Sequence, residues 1–233
     1  MTRTTNSSAR KRVRTVRQPE GGWTLTELLV AMSIFTVLLI IVFSFLTTYS
    51  QQTRDNLARA RAVDQARLGL MQIDRQVRSG NVISDPAAES IASSGVPPFY
   101  SLRVYTQTDG VYQCVQWRVR YPTGSDFGVL EFRSWKPNWE VAGGVSDWAP
   151  VAHDVVKPSG TFSQSDNATW PPFFVESSDA EASSVAQTIR VTLRVKDPEQ
   201  SVKSKPQTVT SVLTGRNTVY GYPADSCAAV PPL

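Results

Sequence analysis

Between Leu28 and Leu46 the chain runs without a single charged side chain, through Leu, Val, Ala, Met, Ser, Ile, Phe and Thr. A helix needs about 20 predominantly apolar residues to cross the hydrocarbon core of a bilayer, and this run reaches that length. The charge around it is lopsided. Up to Gly22 there are six basic residues, Arg3, Arg10, Lys11, Arg12, Arg14 and Arg17, against Glu20 alone. The rest of the chain is nearly balanced, so the sequence pI of about 9.2 belongs to the N-terminal arm. That pI therefore gives no support for direct nucleic-acid binding. Basic residues ahead of an apolar span hold the N-terminus in the cytoplasm and send the following part outside. A cleaved secretory signal fits poorly, because its apolar region is shorter and "TTYSQQ" is not a small-x-small site. A buried core helix of a soluble protein fits the charge asymmetry and the length less well than a membrane segment.

The residues opening the run are "GGWTLTE", followed by "LLVAMSIF". This combination resembles the type IV prepilin signature: a glycine, a large apolar residue, a Thr-Leu pair and a glutamate at the head of a charge-free helix. The resemblance implies that a membrane-embedded prepilin peptidase/methyltransferase cuts the basic leader (residues 1–22) after Gly22 and methylates the new N-terminus at Trp23. Trp23 stands where the family usually has Phe or Met, and it remains large and apolar. Glu27 falls at the fifth mature position, where the family keeps its acid. An acid in a membrane helix costs about 2.5–3.5 kcal/mol. Cleavage makes a positive amine four residues earlier, on the same face if the helix starts at Trp23, and the helix N-terminus also favours an anion. The resemblance implies that Glu27 meets the amine of a neighbouring subunit during filament assembly. Read without the glycine, Glu27 is an interfacial anion at the headgroups.

The helical pattern continues past the span (residues 23–46) through residues 47–80. Val63, Ala66, Leu70, Ile73 and Val77 form one apolar stripe, and Arg54, Asp55, Arg61, Asp64, Arg67, Asp74, Arg75 and Arg78 occupy the other side. Gly80 and Asn81 supply a stop. A helix from Trp23 to Ser79 is about 85 Å long. Its stripe is predicted to lie on a sheet, with Gly69 suited to the close approach of a strand. In residues 81–233, "SLRVYTQT", Asp109-Gly110 and "VYQCVQWRVRY" read as a hairpin. "FGVLEFRSW", "FFVES", "QTIRVTLRVK" and "QTVTSVLTG" read as further strands, each with one wet face. "DPAAESIASSGVPP" reads as a loop. The predicted class is α+β: a pilin-like long helix packed on an antiparallel sheet. The helix end "LGLMQIDRQVRSGN", carrying Asp74, Arg75 and Arg78, and the closing strand "VTSVLTGRN", with Arg216 and Asn217, resemble the minor pseudopilin J and W-type minor pilin group. Cys114 and Cys227 both follow the span. In an exported domain they can pair and tie the C-terminal segment to a strand, and the sequence leaves the bridge open.

No catalytic constellation is legible. His153 is the single histidine, with Asp154 too close in sequence to orient it as a triad partner does. No Cys/His spacing suits a metal, no phosphate loop is present, and no cofactor is implied. "NAT" at Asn167 matches a glycosylation sequon. Trp135, Trp139, Trp148 and Trp170, with Phe162, crowd a Gly/Pro-rich stretch. They read either as a satellite core or as a contact surface for other subunits or cargo. The expected function is a non-enzymatic minor pilin or pseudopilin of a type IV pilus, type II secretion or DNA-uptake filament. Its expected partners are the peptidase, other pilin subunits and membrane lipid. Its expected place is the bacterial cytoplasmic membrane, with the C-terminal domain outside and later on an envelope filament. The alternative is a signal-anchored membrane protein with an outer ligand-binding or sensor domain. Retention of residues 1–22 distinguishes it.

Overall fold

The computed structural model describes residues 21–178 and 186–233. The basic residues of the leader lie outside the described residues. The chain divides into two compact units, Met1–Ser50 and Gln51–Leu233, and helix α1 (Leu25–Arg78) contributes to both. The helix opens two residues later than the sequence pattern suggests, because Thr24 takes the capping position. Its carbonyl accepts from Leu28 N at 3.1 Å, and its hydroxyl accepts from Glu27 N at 3.3 Å.

In the first unit every residue from Gly21 to Ser50 is exposed. Four hydroxyls in and just after the apolar run donate to carbonyls of the helix itself. Ser33 donates to Val30 O and Thr36 to Met32 O, both at 2.8 Å, and Thr47 and Thr48 each donate to Ser44 O at 2.9 Å. A helix meant for a medium without water must close its polar groups this way.

In the second unit, α1 meets an eight-stranded antiparallel sheet. Its strands are β1 (Gly80–Ile83), β2 (Ser101–Thr108), β3 (Val111–Arg120), β4 (Phe127–Trp135), β5 (Ala149–Val156), β6 (Phe173–Ser178), β7 (Ala186–Val195) and β8 (Gln207–Thr214). Strands β1 to β5 follow in sequence order. β5 touches β7 at Val155–Val195, beyond the stretch where β6 pairs along the same edge, and β8 takes the opposite edge. The β2–β3 turn uses Asp109 and Gly110 with φ of 50° and 81°, the geometry that Asp-Gly favours.

The seam of the helix differs from the predicted stripe. Ala58, Ala62, Ala66, Gly69, Ile73 and Val77 are buried, whereas Val63 and Leu70 sit half-buried at its flank. Small residues let the helix backbone come close to the sheet. A Cβ placed on Gly69 would stand 2.7 Å from Leu130 Cδ2. The core between helix and sheet is filled by Trp117, Leu102, Ile83, Leu130, Phe173, Ile189 and Leu193.

Three expectations are corrected. Residues 149–156 form a strand whose alternation is broken by Asp154 at φ 61°, so its period was hidden. "GNVI" is a buried four-residue strand, and the sequence signal there was the helix stop. The stretch 85–98 holds a single helical turn, α2 (Ile91–Ser94), capped by Ser90 and closed by Gly95 in the left-handed region. A fourth correction concerns the wet face. On β3, Gln116 and Arg118 are as buried as their apolar neighbours, because loops and the C-terminal segment cover them.

Gly69→Leu is expected to lower stability by about 1–3 kcal/mol through overpacking against Leu130. Leu at the exposed Ala60 should be nearly neutral. The shift in denaturation midpoint of the detergent-solubilised chain measures both.

Candidate functional site

Two places concentrate functional character. The first is the head of α1. Gly21, Gly22, Trp23 and Thr24 precede the helix in non-helical backbone, and Trp23 is 74% exposed. A Cβ at Gly21 or Gly22 would meet nothing within 4 Å. Neither glycine has a left-handed φ, so the fold itself makes no demand for glycine here. Thr24 and Glu27 stand at the spacing of a capping box, and Glu27 occupies the first helical turn, where a carboxylate is favoured by the free backbone N–H groups. The same geometry corrects one expectation. Trp23 lies outside the helix, so it and Glu27 are not an i,i+4 pair on one helical face. From Leu25 to Tyr49 the large apolar side chains are exposed. Among the described residues, α1 is the one helix long and apolar enough to cross a membrane.

The second place is the back of the central strands, away from α1. Cross-strand register sets three rows there: Tyr105–Cys114–Trp135, Arg103–Gln116–Arg133 and Ser101–Arg118–Glu131. The rows are closed by buried Glu89, which pairs with Arg103 at 2.8 Å and accepts from Gln116 Nε2 at 3.2 Å. Arg133 donates to Gln116 Oε1 at 3.0 and 2.8 Å. Arg118 donates to Glu131 Oε2 and to Ser94 O at 2.8 and 3.0 Å. Arg120 reaches the other oxygen of Glu131 at 2.8 Å. Burial, and then the Arg118 charge, pull the Arg133 guanidinium down to about 10, with Glu89 opposing. Burial pushes Glu89 up, more than its arginine and glutamine partners pull it down. Burial also pushes Glu131 up, but the hydrogen bonds and charges of Arg120 and Arg118 outweigh it and hold this carboxyl below the usual range.

The tryptophans do not share a surface. Trp135 and Trp170 are 1% and 5% exposed. Trp135 packs on the cystine formed by Cys114 and Cys227, whose Cα atoms lie 5.8 Å apart. Trp170 stacks edge-on against Phe162 and Phe174, with the Arg190 guanidinium over its face. Trp148 covers Arg118 and Arg133, whose guanidinium carbons stand 3.7 and 4.5 Å from its ring centroid. Trp139 is half-buried and donates its indole N–H to Ala229 O at 3.2 Å. Of the two readings left open for the tryptophans, these contacts accord with local core packing: each ring already covers an arginine, a cystine or another ring. Sequence alternation missed the polar row because buried arginines read as a solvated face. The available signal was the tryptophan excess nearby.

His153 is exposed on β5, with its backbone N–H donating to Gln65 Oε1 at 3.4 Å, and no triad forms around it. Among the described residues no group of His, Cys, Asp or Glu is arranged to hold a metal ion. Asp74 pairs with Arg78 at 2.7 Å in the last turns of α1, and Asn217 donates to Ser79 O at 3.5 Å. Arg216 is exposed.

Glu131→Gln leaves Arg118 buried and short of its carboxylate, and should cost about 3 kcal/mol at pH 7. The folded carboxyl titrates below its unfolded value. Its contribution is therefore present above about pH 4.5 and lost as pH falls through the lower folded value. Stability measured against pH should fall less steeply below pH 4 in the variant than in the parent.

Residues 17–43 match the family model described as the prokaryotic N-terminal methylation motif. Comparison with curated proteins and with solved structures returns no match. The matched motif implies processing by a prepilin peptidase and assembly with other pilin subunits. The chain thus carries a prepilin-type methylation motif at the head of a membrane-length helix.

Proposed function

We propose that this chain is a structural minor subunit, a minor pilin or pseudopilin of a type IV pilus or type II secretion-like filament. Its leader is removed after Gly22, Trp23 becomes the methylated N-terminus, and the β-rich domain is presented outside the cytoplasm. The observation that carries the reading is the head of α1. Two glycines that no packing requires stand immediately before a capped helix. The large apolar side chains of that helix from Leu25 to Leu46 are exposed. A bilayer can cover them first and the helices of other subunits afterwards. Glu27 in the first turn then has two uses. In the uncut chain it stabilises the helix N-terminus. After the cut it is an acid in an apolar setting that the amine of a neighbouring subunit neutralises. The displacement of Trp23 from the helix favours this intermolecular pairing over one within the same chain.

Gly22→Val is expected to abolish maturation, and Glu27→Ala to permit maturation but impair incorporation into sheared filaments. Intact-mass measurement of the membrane form reads the first, as loss or retention of residues 1–22. Co-sedimentation with filaments reads the second. A wild-type chain that keeps residues 1–22 would instead mark a signal-anchored sensor or ligand-binding protein.

A further inference from the structure

The C-terminal segment, residues 221–233, lies across the back of β2, β3 and β4 without joining the sheet. Its backbone hydrogen bonds are local turns, Ser226 N to Pro223 O at 3.0 Å and Ala228 N to Asp225 O at 2.8 Å. Among the described residues none runs from this segment to a strand. It is held by ring contacts of Tyr222 with Tyr105 and Tyr112, by Val230 packed on the cluster of Cys114, Trp135 and Cys227, and by side-chain donors on its carbonyls. Arg103 donates to Cys227 O at 2.9 Å, Trp139 to Ala229 O at 3.2 Å, and Arg133 to Pro231 O and Pro232 O at 3.1 Å each. The cystine Cys114–Cys227 is the one covalent tie. Beneath the segment lie Arg133, Gln116 and Glu89, which are polar and buried. These groups are costly to bury with partners missing but comfortable in water. The back of the sheet therefore has two acceptable states, covered and solvated. The choice between them rests on a few donors that water can replace and on the small contacts of Tyr222 and Val230, assisted by one bond that depends on redox state.

We infer that residues 221–233 form an oxidation-set latch. With Cys114 and Cys227 as thiols, the segment is loose, and Arg103, Gln116 and Arg133 face water. Oxidation closes the latch. The two thiols give up two electrons and two protons to a disulfide-bearing oxidant, which leaves as the dithiol, and one S–S bond forms between Cys114 and Cys227. The tether then raises the local concentration of the carbonyls at Arg103, Trp139 and Arg133, and the back of the sheet closes. This rests on the reading that the domain is exported. In a reducing cytoplasm the back would stay open, and in an oxidising compartment it would shut.

The test uses the full chain in detergent micelles, oxidised and after treatment with a dithiol. NMR order parameters of Ala228, Ala229 and Val230 should fall from rigid values near 0.85 to below about 0.6 on reduction. The amide dispersion of β7 and β8, which lie outside the covered rows, should persist. A segment that stays rigid when reduced overturns the latch. Collapse of β7 and β8 together with the segment also overturns it, because the cystine would then be a general staple. Docking and oxidation must be coupled reciprocally. Arg133→Gln should therefore lower the equilibrium constant for Cys114–Cys227 formation in a glutathione buffer by at least about tenfold, through loss of the charge-assisted hydrogen bonds to Pro231 O and Pro232 O. If Arg133→Gln fails to fold, Trp139→Phe should give a smaller drop, roughly threefold for one neutral hydrogen bond. An unchanged constant in whichever variant folds overturns the coupling. These outcomes do not depend on cleavage at Gly22, so they stand or fall apart from the filament reading.

Discussion

The close approach of α1 to β4 governs the rest of the second unit. Where Gly69 meets Leu130, no side chain separates helix from strand. The run of Ala58, Ala62 and Ala66 extends that approach along two further turns. A helix packed so near fixes the height of β4, and with it β3, whose Trp117 fills the same layer. Larger side chains would lift the helix and leave voids that the surrounding core could not fill. The bulky residues therefore come from the sheet and the small ones from the helix. This division also leaves Leu57, Leu68 and Met71 on the outside of the helix, available to whatever surrounds the chain.

With one face of β3 and β4 sealed, their other face decides how specific the fold is. Here the chain buries charge instead of hydrocarbon. Glu131 is shared by two arginines, and Arg133 is satisfied by Gln116 and by backbone carbonyls. Such a network adds little net stability, because desolvation offsets much of the attraction. It does impose register. Only one pairing of β3 with β4 places Gln116 opposite Arg133 and Arg118 opposite Glu131, and a slip by one residue would bury unpaired guanidinium groups. The neutralising partners are distributed between strands and the α2 turn, so that turn is fixed by the same bonds.

The sequence conveys those parts of the structure that repeat with a period. The apolar run, the helix to Arg78, the Asp-Gly hairpin and strands β4, β7 and β8 all follow from spacing and turn chemistry. The helix seam was placed rightly at Ala66, Ile73 and Val77 and one step off at Val63 and Leu70. Hydrophobicity marks Val63 and Leu70, whereas packing selected the small residues beside them. β5 escaped because Asp154 interrupts its alternation, and β1 because four residues are too few to show one. The covered back face was invisible for a different reason. Arg118 and Arg133 look like solvent residues, and what covers them comes from the α2 turn, from Trp148 and, for Arg133, from Pro231 and Pro232 about a hundred positions later. At the head of α1 the site residues were legible from the motif, while the capping role of Thr24, which moves Trp23 out of the helix, needed the backbone.

That cap bears on how one acid can serve two stages. A carboxylate in a first helical turn is stabilised by backbone N–H groups whether or not an amine is near. The first turn is therefore a favourable place for Glu27 near the headgroups without any intermolecular contact. On the proposed filament reading, a partner becomes necessary only when the helix leaves the interface and the turn is surrounded by apolar side chains. There the backbone dipole alone is a weak counter to desolvation. A subunit whose acid is comfortable at the membrane and costly in transit favours association at the moment of extraction. The same physics explains why the cap is threonine. Its hydroxyl closes the Glu27 N–H and leaves the carboxylate oxygens free for a neighbour.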